Sequence, residues 1–283
     1  MRTIVHLSDI HFGKIDLKTL KPLVRAVHAV QPDLVVVSGD LTQRGRRREF
    51  AEARKFLLAL PGPQIVVPGN HDIPIWNPIS RFSRPLGGFK HYITSDLFPF
   101  YEDDEIAVLG INTARSTMTK YGHINRKQLV QIRETLCPIS NDKIKIVVTH
   151  HPFDLPNGYR NDRQVVNKGG RAMVVLAECG ADLFLAGHLH KVYTGVTTER
   201  YQIENYAALI VQAGTATAVG LSREANSFNL IVSNERTISV TSVHWNVLRS
   251  HFEHGPEQLF EHTERGWIRQ SAQLHDEHSG KRE

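Results

Sequence analysis

Through the first part of the chain, short apolar runs rich in β-branched residues alternate with longer stretches in which apolar residues recur every three or four positions. Residues 4–7 form such a run, and residues 17–30 follow with Leu20, Leu23, Val24, Val27 and Val30 on one helical face. The same two patterns return at 33–37 and 50–60, and a further run occupies 64–67. Strand, helix, strand, helix, strand with short connections predicts βαβ units and a mostly parallel sheet. Residues 73–105 break the rhythm with Pro, Gly and aromatics, among them Trp76, Phe82, Phe89, Tyr92, Phe98 and Tyr101. They predict an irregular excursion holding a short helix, either a lid or a surface segment packed by its own aromatics. The alternation then resumes, with strands expected at 106–111, 144–148 and 182–186 and helices at 126–136 and 172–179. Later runs at 192–198, 208–212, 228–233 and 237–243 predict a second, largely antiparallel sheet. No internal repeat is visible. The polar end, from about Gln270, predicts a frayed tail. The chain divides into a domain over residues 1–250 and a partly flexible C-terminal extension over 251–283.

The polar residues add information once they are placed on this map. Asp9 and His11 follow the first strand, and Asp40 the second. Asn70, His71 and Asp72 follow the third, His150 and His151 the strand at 144–148, and His188 and His190 the strand at 182–186. Open α/β sheets bind ligands at the carboxyl ends of their strands. One His after a strand is an ordinary loop residue; five strand ends on one sheet edge, each delivering Asp, Asn or His, predict a site. Carboxylate, imidazole and amide oxygen without thiolate suit Mn, Fe or Zn. Gly39, Gly69 and Gly187 would let the backbone turn tightly beside bound ions.

Composition changes this picture little. The 283 residues are 41% hydrophobic and carry a formal charge of +5, mildly favouring an anionic ligand and equally describing a basic surface. Histidine, the commonest metal ligand, stands out with 16 copies. Cys137 and Cys179 belong to no CxxC pair, so no disulfide framework or zinc-cysteine site is expected and a reducing compartment fits. Without a signal-peptide pattern or an apolar run of about 18 residues, the expectation is a cytoplasmic protein with no transmembrane segment.

Taken in order, Asp9-x-His11, Gly39-Asp40-x-x-x-x-Gly45, Gly69-Asn70-His71-Asp72, His150 and Gly187-His188-x-His190 resemble the five blocks of the calcineurin-like metallophosphoesterase superfamily. Within it, His6-Leu7-Ser8-Asp9-Ile10-His11 and Ser38-Gly39-Asp40-Leu41-Thr42 are most similar to bacterial cyclic-nucleotide phosphodiesterase-like proteins. The resemblance implies a four-layer α/β/β/α sandwich of two mixed sheets flanked by helices. It implies two metal ions, one held by Asp9, His11, Asp40 and His190 and the other by Asp40, Asn70, His150 and His188, so that Asp40 bridges. The ions would clamp the phosphoryl group and make a bridging hydroxide available for in-line attack. His71 would stabilise or protonate the leaving group, and Asp72 would orient His71 or a ligand. His151 is read as a neighbour that packs or hydrogen-bonds.

Substrate contacts are nominated from position. Arg44 lies in the loop after the bridging aspartate, ahead of Arg46, Arg47 and Arg48, whose charges oppose the helix dipole unless Glu49 and Glu52 offset them. Asn112 and Arg115 follow a strand end, and Arg81, Arg84, Arg160 and Arg163 lie in loops. The expected function is a phosphodiesterase acting on a small phosphate ester such as a cyclic nucleotide. A nucleotide-diphosphate lipid pyrophosphatase of the UDP-diacylglucosamine type is the alternative, although those enzymes typically carry arginine where this chain has His71. A nuclease is a further alternative, so nucleic acid stays among the partners considered. A non-catalytic scaffold fits poorly, because every ligand type is present. The late strands and residues 244–267 offer a surface for a homodimer.

Overall fold

In the computed structural model, residues 1–118, 120–156, 164–167, 169–197 and 200–270 are described. The first half runs β1 (Arg2–Leu7), α1 (Leu17–Ala29), β2 (Leu34–Val37), α2 (Arg47–Leu58), β3 (Gln64–Val66), α3 (Pro78–Ser83), α4 (Gly87–Tyr92), β4 (Phe100–Glu102) and β5 (Ile106–Gly110). It continues through β6 (Gly122–His123), α5 (Arg126–Leu136), β7 (Ile144–Val148), β8 (Val166–Asn167), α6 (Gly169–Glu178) and β9 (Leu183–Ala186). The last part is all strand: β10 (Tyr193–Val196), β11 (Leu209–Gln212), β12 (Ser227–Asn234), β13 (Thr237–Asn246), β14 (His251–Thr263) and β15 (Gly266–Arg269).

Two mixed sheets result. One has the order β15-β14-β13-β12-β1-β2-β3, the other β10-β11-β9-β7-β5-β4, and β6 and β8 form a small separate pair. The expected division into a parallel and an antiparallel sheet is therefore corrected. The parallel strands split three and three, with β1, β2 and β3 in the first sheet and β5, β7 and β9 in the second. The late strands split as well: β11 adds parallel to β9 and β10 antiparallel to β11, while β12 pairs antiparallel with β1. Residues 251–269, read from sequence as the start of an extension, form β14 and β15 on the edge of the first sheet.

Period-two alternation explains the layers. Ile4, Leu34, Val36 and Ile65 face the second sheet and meet Val108, Ile146, Val148, Leu185 and Val211 in a shared core. Their neighbours Val5, Leu7, Val35 and Val37 face outward onto Leu23 and Val27 of α1 and Phe50 and Ala53 of α2. On the far side, Leu109, Val147 and Phe184 pack against Ile132 of α5 and Met173 and Leu176 of α6. Helix, sheet, sheet, helix is the four-layer sandwich. Phe260 and Trp267 from the edge strands are buried in the inter-sheet core, and the Trp267 indole N–H donates to Asp182 Oδ1 across the layers at 2.9 Å.

The irregular stretch contains two short helices. Asn77 caps α3 by accepting from Ser80 N at 3.0 Å, with Pro78 at the first helical position. Cys137 and Cys179, expected as separate thiols, are joined as a disulfide. They lie 42 residues apart, and only the side-by-side packing of α5 and α6 brings their ends together. The two cysteines therefore give no argument for a reducing compartment. Among the described residues, no helix is long and apolar enough to cross a membrane. Residues 271–283 and Thr198, included in the expected tail and strand, fall outside the described residues.

Candidate metal centre

The loops that follow β1, β2, β3, β7 and β9 converge at one end of the seam between the sheets. The first two run side by side, with Asp9 N donating to Gly39 O at 3.1 Å and His11 N to Asp40 O at 3.0 Å. The β7 and β9 loops are tied in the same way by Gly187 N to His150 O at 3.0 Å. The sheets meet where His188 N donates to Asp9 Oδ2 at 3.0 Å. The five ends come from two facing sheets rather than one sheet edge, which corrects the sequence reading while keeping its convergence.

The backbone here is unusual. Asp9, His11, Asp40, His188 and His190 all have φ between 52° and 71°, the left-handed region that side chains other than glycine rarely adopt. Gly39, at φ 95°, turns as its sequence position suggests. Gly69 and Gly187 serve a different need: a Cβ on Gly69 would overlap Asp40 Oδ1, and one on Gly187 would overlap Ser8 Oγ and Asp9 Oδ2.

Asp9, His11, Asp40 and His190 bring their ligand atoms within 4.8 Å of one another. His190 Nε2 lies 3.1 Å from Asp9 Oδ1, and His11 Nε2 lies 3.5 Å from Asp9 Oδ1 and 3.7 Å from Asp40 Oδ2. The second group forms around His150, whose Nε2 is 3.0 Å from Asn70 Oδ1 and 3.4 Å from Asp40 Oδ2. Asp40 is thus shared. Its Oδ1 accepts from His71 N at 2.8 Å, whereas its Oδ2 and Asp9 Oδ1 are buried with no hydrogen-bond partner. Buried carboxylate oxygens without donors are costly. Two of the imidazoles they face have the other nitrogen engaged: His150 Nδ1 donates to Ser38 O at 2.8 Å, and His190 Nδ1 lies 3.4 Å from Leu221 O, while His11 Nδ1 is buried without a partner. Fixing one ring nitrogen on a carbonyl and aiming the other into the site is how metal-binding histidines are oriented. The donor set fits divalent metal ions.

Charge distribution agrees. Burial alone would raise the Asp9 and Asp40 carboxyls, but the surrounding histidines, His190 for Asp9 and His150 for Asp40, hold both well below the usual carboxylate range. Burial would lower His150, yet Asp40 raises it to about 9. His188, buried beside His150, falls to about 4.

His71 is half-buried at the edge of this cluster, its ring 5.0 Å from that of His11, with Nδ1 donating to Gln43 O at 2.8 Å. Asp72, expected to orient His71 or a ligand, bonds the backbone beside Asp40 and Asn70. Its carboxylate accepts from Leu41 N, Thr42 N, Thr42 Oγ1 and Gly69 N at 2.9–3.3 Å, stapling the second and third loops together. The carbonyl of Gln43 holds the ring instead. His151, read as a packing neighbour, bonds Thr113 Oγ1 through Nδ1 at 2.9 Å, and it also lies within 4.8 Å of His150 and His188 with Nε2 buried and unpartnered.

The nominated substrate contacts fare differently. Arg44 is exposed, and its backbone N donates to Glu49 Oε2 at 2.8 Å. Glu49 is buried in the first turn of α2, where its Oε2 also accepts from Arg46 N and ties the loop down, and Arg48 pairs with Glu52 at 3.0 Å. The Arg115 guanidinium is committed to Asn112 O, Ala114 O and Gln128 Oε1, and Asn112 Oδ1 accepts from Ala114 N. Both border a separate cleft with Lys90 and Asp96, whose lining includes none of these histidines. Arg160 and Arg163 lie outside the described residues.

Comparison with known proteins converges on the same chemistry. The sequence matches the family described as Calcineurin-like phosphoesterase over residues 2–192. It is 28% identical over 202 residues to glycerophosphodiester phosphodiesterase GpdQ of Enterobacter lignolyticus, covering 67% of this chain and 71% of that one. It is 22% identical over 204 residues to a probable cyclic nucleotide phosphodiesterase of Rhodopseudomonas palustris, covering 68% and 73%. Among solved structures, a dimetal phosphatase from Danio rerio aligns with a TM-score of 0.57 at 13% identity over 93% of this chain and 99% of that one. Purple acid phosphatase PPD1 from yellow lupin aligns at 0.67 and 10% identity, over 91% of this chain, which spans 53% of the lupin chain. These last two share the fold. The chain belongs to the calcineurin-like phosphoesterase family and is a hydrolase acting on phosphate esters.

Proposed function

We propose that the protein is a dinuclear-metal phosphodiesterase acting on a small diester, such as a cyclic nucleotide. The observation that carries this reading is the pair of buried, unpartnered carboxylate oxygens, Asp9 Oδ1 and Asp40 Oδ2, ringed by histidines at 3.1–3.7 Å. Asp9, His11, Asp40 and His190 would hold one ion and Asp40, Asn70, His150 and His188 the other; Mn, Fe and Zn all suit these donors. Two bound ions supply the positive charge that clamps the phosphoryl oxygens and activates water for attack. The chain's own residues do the rest. Complete burial of Asp9, His11 and His150 excludes bulk water, which strengthens every charge interaction there. Anchoring His71 Nδ1 on Gln43 O leaves Nε2 to carry a proton to the departing oxygen. The relatives named as phosphodiesterases support a diester over a monoester.

A second reading, a nucleotide-diphosphate lipid substrate, is favoured by one feature. Ile75, Trp76, Ile79 and Phe82 are 52–82% exposed around α3, a concentration of apolar surface beside a basic cleft.

The test is hydrolysis of bis(p-nitrophenyl) phosphate by protein stripped with chelator and reloaded with Mn, Fe or Zn. Turnover should require metal. Asp40→Ala should lower kcat/KM by at least about a thousandfold, since both ions lose a ligand, and reduce bound metal measured by elemental analysis. A folded protein inactive with every metal would overturn the proposal. A parallel assay on cyclic AMP and a UDP-linked lipid separates the two readings.

A further inference from the structure

A cleft with a volume of about 950 Å³ lies between the start of α2 and the α3–α4 segment. That is enough to hold a nucleotide-sized ligand. Gly45 and Pro74 are part of its lining. These belong to the turn beside His71: Gly45 N donates to Thr42 Oγ1 at 3.0 Å, and Thr42 Oγ1 lies 3.1 Å from His71 O. The cleft therefore shares a turn with His71.

Its lining is chemically one-sided. Arg46, Arg47 and Arg84 border it together with His91, and no Asp or Glu does. None of the three arginines forms a salt bridge among the described residues, whereas Arg48, one turn position further, pairs with Glu52 outside the cleft. Unpaired guanidinium groups around a cavity match phosphate, which they bind as planar forks. The same wall offers aromatic faces. Trp76 is 54% exposed, and Tyr92 is backed by Phe50 with ring planes 3° apart. A planar ring with a phosphate attached matches both halves of this lining.

We propose that the cleft is the seat of the substrate's leaving half and that it binds a nucleoside phosphate, its base against Trp76 and its phosphate among Arg46, Arg47 and Arg84. This rests on the phosphodiesterase reading and adds to its substrates linear diesters whose leaving half bears a phosphate of its own, such as the 5′-phosphorylated dinucleotide pApA. Water adds its oxygen to the central phosphorus, the bond from phosphorus to the 3′ oxygen breaks, and His71 returns a proton to that oxygen. One pApA and one water give two AMP.

Calorimetric titration of the full-length protein with AMP and with adenosine tests the cleft directly. AMP should bind at least about tenfold more tightly than adenosine, because loss of charge-assisted bonds costs that much. Arg46→Ala/Arg84→Ala and, separately, Trp76→Ala should each weaken AMP about tenfold or more, while Arg48→Ala should not. The same titration in an Asp40→Ala background should still detect AMP, placing it apart from the metal centre. In turnover, the ratio of kcat/KM for pApA to that for bis(p-nitrophenyl) phosphate should fall about tenfold in the cleft variants. Equal binding of AMP and adenosine, or AMP binding unchanged in both cleft variants, would overturn the assignment. If no diester is hydrolysed with any metal, the phosphodiesterase reading fails, and AMP binding alone decides the cleft.

Discussion

Five of the residues gathered at the centre, Asp9, His11, Asp40, His188 and His190, hold left-handed backbone conformations. Each costs on the order of 1–3 kcal/mol, so the surrounding hydrogen bonds must over-determine them. The glycines beside them are part of that restraint. Replacing Gly187 with Ala forces a methyl onto Ser8 Oγ and Asp9 Oδ2, and the expected loss is about 1–3 kcal/mol, with kcat/KM falling as Asp9 shifts. Gly170, in the first turn of α6 with open space around its Cβ position, is the counter-case. Gly170→Ala should leave stability unchanged or raise it by up to about 1 kcal/mol. Thermal melts should fall for Gly187→Ala and hold or rise for Gly170→Ala; a matching drop would show that steric room does not separate these sites. Residue types were readable in the sequence because ligand chemistry limits them to Asp, Asn and His at strand ends. Their partners were not. That Asp72 staples two loops, or that Arg115 is consumed by Gln128 and two carbonyls, depends on which distant backbone groups arrive nearby.

At the level of elements, helices and strands fell close to where periodicity placed them, and α5 and β7 coincide with the expected 126–136 and 144–148. Sheet membership did not follow. A strand such as Val35-Val36-Val37 reads as buried on both faces, and that pattern is the same in either sheet of a four-layer sandwich. The disulfide was hidden for the same reason, since it links helices that touch only because β7 and β9 are neighbours. It closes a loop of 42 residues, so Cys137→Ser/Cys179→Ser should lower unfolding free energy by about 2–4 kcal/mol. Denaturant melts with and without reductant should show that shift in the native protein and none in the double variant.

Across the whole molecule, the sheets are clamped at both ends of the seam. Opposite the metal centre, Arg2 at the start of β1 binds Asp103 in the β4–β5 turn at 2.7 Å and Glu105 at 2.8 Å. Partial burial would raise the Asp103 carboxyl, but Arg2, two backbone N–H groups and the Tyr101 hydroxyl bring it down to about 2. A carboxyl depressed on folding stabilises the native state above its unfolded value near 3.8, and that contribution disappears as pH falls through about 2. The stability difference between the native protein and Asp103→Asn should therefore be full at pH 5 and vanish below pH 2, and high salt should shrink it. Urea melts from pH 5 to pH 2 measure it; a difference independent of pH would remove the ion pair as its cause.

The other end of the seam has its own consequence. Asp9, His11, Asp40 and Asn70 ride on one sheet and His150, His188 and His190 on the other, so neither layer owns a working set of ligands. Catalysis becomes a checkpoint on assembly. On the proposed ligand set, a chain that forms each sheet but leaves them misaligned by a single strand register would carry every one of these side chains and hydrolyse nothing, so activity would report that the two layers have closed in register.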